Sequence, residues 1–386
     1  MSLSISAPRR LDSPRRRKVL SVLAAAACAR IGMPAMAQPA GKIIRIGTTF
    51  DASGVEKANG GGMFVGSSAC FKALNKAGGI HGSTIELVQK DDQFKPDLAK
   101  ANALAFEADP SILAILHPLG TRQVAEVSAA VPGMAVVGPN TGTVALRRKN
   151  SPNTFWTRAN YDQEIERLVR QAASVGQTRI GLVHSNDPLG QSMLAGFKAA
   201  MEHLKVEPAV IATTPSTTSL EVEPAAKAIA AANPQIVIVG LAGTAAAFIG
   251  ALRAAGGHST IYGVSISAGS IFGMGPKAHG VGFALIVPSP FATRSAVARR
   301  YQADMAAAGS DAYSLAGMEG YIGASVLAEG LRRAGPGASR AALMAALERI
   351  EDYDLGGIRF TFGRAQREGT HFVDIGVIGP NGRLLT

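Results

Sequence analysis

Residue types that do chemistry are thinly spread along this 386-residue chain. Its seven histidines are scattered, and neither an H-E-x-x-H pair nor a Cys/His cluster with metal-ligand spacing occurs. Gly263-Val264-Ser265-Ile266-Ser267 approaches a G-x-S-x-G nucleophile elbow but lacks its final glycine. Asn59–Gly66 is glycine-rich, yet it reads neither as G-x-G-x-x-G nor as a Walker A loop. Asp91-Asp92 looks like a pair of catalytic carboxylates. Adjacent residues at a strand end point to opposite sides, so a turn or helix-capping role fits better. No catalytic residue, metal site or cofactor is therefore expected. What remains is a set of loops rich in Gly, Ser, Thr and Asn: 51–62, 117–121, 138–143, 186–190, 240–244 and 265–270. Such loops present backbone N–H groups at helix N-termini, which suit a carboxylate or another anion. The same composition serves ordinary turns, and for any single loop both readings stand. His117 is the one histidine on such a loop and reads as a polar contact.

The elements that carry these loops alternate. Ile43–Thr49, Thr84–Val88, Ile112–Leu116 and Ala135–Val137 read as strands. Met63–Asn75, Pro96–Ala108 and Thr121–Ala130 read as the helices between them. The series then begins again. Strands are expected at Arg179–Val183, Pro208–Ala212, Gln235–Val239 and Ser259–Val264, with helices at Gln191–His203, Val222–Ala232 and Thr244–Ala255. Ile180-Gly181 echoes Ile46-Gly47, and Phe197-Lys198-Ala199 echoes Phe71-Lys72-Ala73. Two copies at a period of about 130 residues indicate a duplicated domain. Strands about 30 residues apart and joined by helices make parallel sheets with right-handed crossovers. The expected fold is α/β, with two doubly wound parallel-sheet lobes. In such sheets ligands bind beyond the carboxyl ends of the strands, where the six loops lie.

Between the copies, Ile165, Leu168, Val169 and Ala172 form one apolar helix face, and Asn160 with Gln163 forms a capping-box pattern at its start. Beyond the second copy, helices are expected at Tyr301–Ala308, Leu315–Ala334 and Arg340–Ile350, and strands around Ile358–Phe362 and Phe372–Ile378. Extra elements after a duplicated core suggest a chain that returns to the first lobe and then to the second, with crossing strands forming a hinge.

The N-terminus reads as an export signal. Arg9, Arg10 and Arg15 to Lys18 precede an apolar run at Val19–Ala29, then Pro34 and the small-x-small triplet Ala35-Met36-Ala37. Eleven residues are too few to span a bilayer, which needs about 20. Cleavage is expected after Ala37. Arg16-Arg17 leaves both the general secretory and the twin-arginine routes open. Cys28 invites a lipoprotein reading, but Ala25 stands where leucine is usual. Positions 1–37 carry six of the formal +11 charges, which leaves the mature chain near +5. With no basic–aromatic interleaving, nucleic acid is excluded as a partner. Cys70 alone remains after cleavage, so no intramolecular disulfide forms. About 349 residues suffice for two domains held by their cores.

Several segments resemble the leucine/isoleucine/valine-type periplasmic binding proteins of ABC importers. They are Gly41–Phe50, then Asn75-Lys76-Ala77-Gly78-Gly79-Ile80-His81-Gly82, then Ile85–Val88 with Asp91-Asp92. The likeness continues through Val136–Thr143, Arg158–Ile165, Asp187–Gly190 and Tyr313–Tyr321. It implies a type I periplasmic binding fold whose lobes are joined by a three-strand hinge, with crossings near Trp156–Asn160, Ile286–Ser289 and Glu351–Tyr353. On that basis lobe one is 38–157 plus 289–351, and lobe two is 158–288 plus 352–386. It implies a periplasmic, monomeric protein that captures a small organic acid, amino acid or amide and hands it to a membrane permease. A sensor subunit presenting the same ligand to a receptor is the alternative. Carried over residue by residue, the ligand contacts fall on Leu119, Gly120, Thr121, Asn140, Gly142, Thr143, Tyr161, Asp187, Leu189, Ser265 and Ser267. Leu119 and Gly120 replace serines and offer backbone only. Leu189 stands where a tyrosine is common. The acid that holds an α-amino group in the family should fall near Ser265–Ser267, and none is there. A buried unpaired ammonium costs several kcal/mol, so the expected ligand has a carboxylate or polar head and no free α-amino group. The alternative is a branched-chain amino acid whose ammonium meets Asp187 or Asp51.

Overall fold

A computed structural model describes residues 42–148 and 151–386; the expected export signal lies outside them. The first sheet contains β1 (Ile43–Phe50), β2 (Thr84–Asp91), β3 (Ile112–Leu116), β4 (Ala135–Val137) and β5 (Thr154–Phe155), in the order β2-β1-β3-β4-β5 with every pairing parallel. The second contains β6 (Ile180–Ser185), β7 (Val210–Thr214), β8 (Ile236–Gly240), β9 (Thr260–Gly263) and β10 (Gly282–Leu285). A hairpin of β11 (Tyr353–Asp354) and β12 (Arg359–Phe360) follows, and then β13 (Asp374–Ile378) and β14 (Leu384–Leu385). These last two extend the second sheet, β13 antiparallel to β10 and β14 antiparallel to β13, in the order β14-β13-β10-β9-β8-β6-β7. β8 is buried along its whole length. That is why it reads Ile-Val-Ile-Val-Gly rather than alternating, since helices cover both faces of a parallel sheet. Strand order reverses between β1 and β3 and again between β6 and β8. The crevices at those reversals are where such sheets bind ligands.

The capping box at Asn160 is present. Gln163 N–H donates to Asn160 Oδ1 at 3.0 Å and Asn160 N–H to Gln163 Oε1 at 3.0 Å, opening helix Tyr161–Ser174. Two differences from expectation bear on how the lobes are built. Helix Lys57–Lys76 takes in Gly60-Gly61-Gly62, so these glycines are not a loop. The reason is tertiary: a methyl at Gly60 would lie 2.5 Å from the Phe50 ring and one at Gly62 2.9 Å from the Ala316 side chain, and the close packing continues along the helix. A methyl at Gly66 would lie 1.8 Å from the Gly317 carbonyl oxygen, and one at Gly320 would lie 2.1 Å from that of Met63. Helices Lys57–Lys76 and Leu315–Ala334 therefore cross backbone to backbone. The second difference is the start of the last lobe-two segment. Leu355, Ile358, Phe360 and Phe362 pack in one core with Val297, Tyr301 and Phe155, so 352–362 belongs to the first lobe. The third crossing comes later, near 363–373. There Trp156 N–H donates to Arg367 C=O at 2.8 Å and Gly369 N–H to Trp156 C=O at 2.9 Å.

Candidate functional site

The loops at the carboxyl ends of β3, β4, β6 and β7 meet around a cavity of about 180 Å³ between the lobes. Phe50 and Leu119 of the first lobe share a buried apolar cluster with Tyr161, Leu189 and Ile266 of the second, so the lobes are in contact across the cleft.

The first-lobe wall is the N-terminus of helix Thr121–Ala130. Gly120 makes the turn into it with φ 102°, a conformation that side chains with a Cβ resist, and no side chain caps the helix. The first intrahelical bond is Val124 N–H to Gly120 C=O at 2.8 Å. The N–H groups of Thr121, Arg122 and Gln123 precede it, and these residues line the cavity. Beside them the hydroxyls of Thr121, Thr141 and Thr143 form a triangle of 2.9, 2.9 and 3.1 Å. Aligned N–H groups with the positive end of a helix dipole make a carboxylate site. Phe94, Leu119, Leu189, Ala242 and Ile266 supply apolar surface around it.

Three acids approach the cleft, and each already has partners. Asp187 caps helix Pro188–Leu204. It accepts Gly190 N–H at 3.1 Å, Ser185 Oγ–H at 2.8 Å, Thr217 N–H at 2.7 Å and the Thr217 hydroxyl. Burial opposes its ionisation, but these donors outweigh burial and hold its pKa below the usual carboxylate value. Asp51 accepts the N–H groups of Ser53, Gly54 and Glu56 and does not line the cavity. Glu56 does line it and reaches across the cleft. Its carboxylate accepts Gly243 N–H at 2.6 Å and the Asn59 amide at 2.7 Å, and Asn59 in turn donates to Ile266 C=O at 3.1 Å. Burial raises the Glu56 pKa to about 7 against those two hydrogen bonds.

Behind the cavity lies a buried charge cluster that joins the lobes at the hinge. Arg158 Nη2 donates to Glu164 Oε1 at 2.7 Å and to Ser265 Oγ at 2.5 Å, while Nη1 lies 3.3 Å from Glu319 Oε1. Ser265 N–H donates to Glu164 Oε2 at 2.7 Å, and Asn140 Nδ2 to Glu319 Oε2 at 2.9 Å. Burial raises the pKa of both carboxyls, with Arg158 opposing it.

Of the residues carried over from the resemblance, Leu119, Gly120, Thr121, Asn140, Tyr161, Asp187 and Leu189 line the cavity. Thr143 stands behind Thr121 in the hydroxyl triangle. Gly142 lies under the Tyr161 ring, where a methyl would meet a ring carbon at 2.6 Å. Ser265 belongs to the charge cluster, and Ser267 donates its hydroxyl to Val264 C=O at 2.6 Å. The missing acid has a counterpart in space. Glu164 and Glu319 converge on the Ser265 neighbourhood from distant helices, already paired with Arg158. Glu56, the charge cluster and Ser216–Thr218, at the carboxyl end of β7, were not singled out from the sequence. The strand-end rule that found the other loops also applies to Ser216–Thr218. His117 sits away from the cavity, its ring nitrogens 2.7 and 3.0 Å from the carbonyls of Gly138 and Gly320. Among the described residues no group of three or more His, Cys, Asp or Glu is placed to hold a metal, and no helix is long and apolar enough to cross a membrane.

Comparison with known proteins gives the same architecture. A substrate-binding periplasmic protein from Ralstonia solanacearum is 30% identical with a TM-score of 0.80, over 89% of this chain and 99% of that one. An extracellular ligand-binding receptor from Verminephrobacter eiseniae is 28% identical with a TM-score of 0.80, over 89% and 99%. A possible leucine/isoleucine/valine-binding protein from Rhodopirellula baltica is 22% identical with a TM-score of 0.83, over 91% and 98%. No curated protein matches the chain in sequence. The family model described as periplasmic binding protein matches residues 43–383. With that match over nearly all of the described residues, and two α/β lobes meeting around a cavity, the chain belongs to the type I periplasmic binding proteins, the family that supplies the ligand-capturing subunits of ABC importers.

Proposed function

We propose that this protein captures a small carboxylate with an apolar body and no free α-amino group, and delivers it to the permease of an ABC importer. The observation that carries this reading is the uncapped N-terminus of helix Thr121–Ala130, open to a cavity whose other walls are largely apolar. A carboxylate there gains several N–H donors and the helix dipole, while its body removes apolar surface from water. An ammonium has no comparable partner. The Asp187 oxygens are taken by four donors, Arg158 holds Glu164 and Glu319, and Glu56 is engaged with Gly243 and Asn59. Residues 1–37 act as the export signal, cleaved after Ala37, and the mature protein works in the periplasm as a monomer without a cofactor.

The test is calorimetric titration of the mature protein against aliphatic and aromatic monocarboxylates, their methyl esters, leucine and valine. Free acids should bind and their esters should not. At 100 times its Kd a ligand stabilises the folded state by about 2.7 kcal/mol, which a thermal-shift screen reads easily. Sub-micromolar binding of leucine or valine overturns the reading.

A further inference from the structure

Asn140 is buried, with 3% of its surface exposed, and it lines both the main cavity and a smaller one of about 20 Å³ beside it. Its Nδ2 donates to Glu319 Oε2 at 2.9 Å, and the other Glu319 oxygen faces Arg158 at 3.3 Å. A carboxylate presents lone pairs only, so the amide must turn its NH₂ end to Glu319. The other end, Oδ1, is then fixed as an acceptor, and it has no partner in the protein. The Tyr161 hydroxyl is also buried and unpartnered. A hydroxyl both donates and accepts, so it imposes no requirement, whereas a carbonyl oxygen accepts only. Asn140 also sits close to the carboxylate site. Its backbone pairs with the loop that starts helix Thr121–Ala130, through Gly120 N–H to Asn140 C=O at 3.2 Å and Asn140 N–H to Pro118 C=O at 2.9 Å.

We propose that Glu319 is a positioning residue that sets Asn140 as a hydrogen-bond acceptor, and that the captured acid carries a neutral hydroxyl donor next to its carboxylate. The ligand class is a 2-hydroxy acid. This rests on the reading of the cavity as a carboxylate site. Binding an acid without the hydroxyl leaves Oδ1 desolvated and unpaired, which selects against it more strongly than a missing methylene would.

The experiment compares three ligands on each of two skeletons, by calorimetry on the mature protein. The aliphatic set is 2-hydroxy-4-methylpentanoate, 4-methylpentanoate and leucine. The aromatic set is 2-hydroxy-3-phenylpropanoate, 3-phenylpropanoate and phenylalanine. On the skeleton that binds, the hydroxy acid should exceed the plain acid by about 10-fold or more. Glu319→Gln keeps a carbonyl oxygen toward Arg158 and turns its NH₂ to Asn140, so the Asn140 amide reverses and presents Nδ2 to the ligand. A hydroxyl donor is then no longer required, so the matching 2-oxo acid, an acceptor only, should come within about threefold of the hydroxy acid on the variant, while the native protein rejects it. A purely structural role for Glu319 would lower both affinities together. Asn140→Ala should abolish the preference too, and serves if Glu319→Gln fails to fold. Equal binding of hydroxy and plain acids overturns the inference and leaves the carboxylate site standing; a water serving Oδ1 from the small cavity would give this result. Preferred binding of the amino acid overturns the neutral donor. Absence of binding by every acid overturns the carboxylate site, and this inference falls with it.

Discussion

Helix Thr121–Ala130 follows the third strand of the first lobe, and helix Ala245–Ala254 follows the equivalent strand of the second. Both aim their N-termini at the cleft, as duplication of one strand–helix series requires. They differ in what meets them. At the second, Gly243 N–H is taken by Glu56 at 2.6 Å and Ala246 N–H by Ser270 Oγ at 3.3 Å. Neither helix is capped by its own N-cap side chain, and at the first the N–H groups of Thr121, Arg122 and Gln123 have no acceptor among the described residues. Glu56 comes from the opposite lobe, so one helix end receives its anion from the protein when the lobes meet. The other has no anion from the protein. On the proposed reading the duplicated fold offers two anion sites, and self-occupation of one directs the ligand carboxylate to the other.

The largest expected effect comes from giving the open helix an acid of its own. Thr121→Asp places a carboxylate at the first turn, where the helix dipole favours it, and the Thr141 and Thr143 hydroxyls can donate to it. Folding should be unimpaired. Binding of an acidic ligand should weaken by at least 100-fold, about 2.7 kcal/mol, in calorimetric titration. Unchanged affinity would mean that the ligand anion lies elsewhere.

A smaller effect is expected from the cap that lobe two already has. Asp187→Ala uncaps helix Pro188–Leu204 and strips Thr217 N–H of its acceptor. Loss of a helix cap costs up to about 2 kcal/mol, to be read by chemical denaturation. Ligand affinity should stay within about threefold, because the Asp187 oxygens are spent on the protein. A loss of affinity as large as that of Thr121→Asp would make Asp187 a ligand contact and erase the contrast between the two walls. The pH response follows from its lowered pKa. The stability Asp187 contributes is present above the unfolded carboxylate value and is lost as pH falls through the folded one.

The contrast was partly legible in the sequence. Repeated β-branched runs and helix periods located the parallel strands, and the strand-end rule then pointed to the loops at Leu119–Thr121, Asn140 and Asp187–Gly190. The Asn160–Gln163 capping box was readable because its chemistry spans only four residues. Gly60–Gly62 read as a loop because the packing that needs small residues there is tertiary: Gly60 lies against the Phe50 ring and Gly62 against Ala316, about 250 residues away. The hairpin around Phe360 went to the wrong lobe because β11 and β12 are two residues each, and only the packing of Phe360 and Phe362 assigns them. Glu319 stands among small and apolar residues in the first half of helix Leu315–Ala334, far from Glu329 and its partners Arg332 and Arg333 at the other end, and that is a signal. The Glu319 partners Arg158 and Asn140 come together only in the folded chain.

The smallest expected effect tests the self-supplied anion. Glu56 titrates near 7 in the folded chain, against an ordinary value of 4.5, because burial outweighs the N–H donors of Asn59 and Gly243. A raised carboxyl pKa means that the folded state binds a proton the unfolded chain has released. Stability from this group is therefore complete below about pH 4.5 and is lost as pH rises through about 7. Relative to Glu56→Gln, which cannot titrate, the native protein should lose about 1 kcal/mol between pH 6 and pH 7. Denaturation curves at the two pH values, compared between the two proteins, isolate this group from Asp92, whose burial raises its own pKa to about 6. A difference that does not change with pH would mean Glu56 is ionised throughout, with the helix end and its two N–H donors outweighing burial. In that case both helix ends hold full anions whenever ligand is bound. If the slope appears, the two ends are unequal in charge as well as in origin: near neutral pH the external carboxylate, with an ordinary pKa near 4, is the stronger anion of the two.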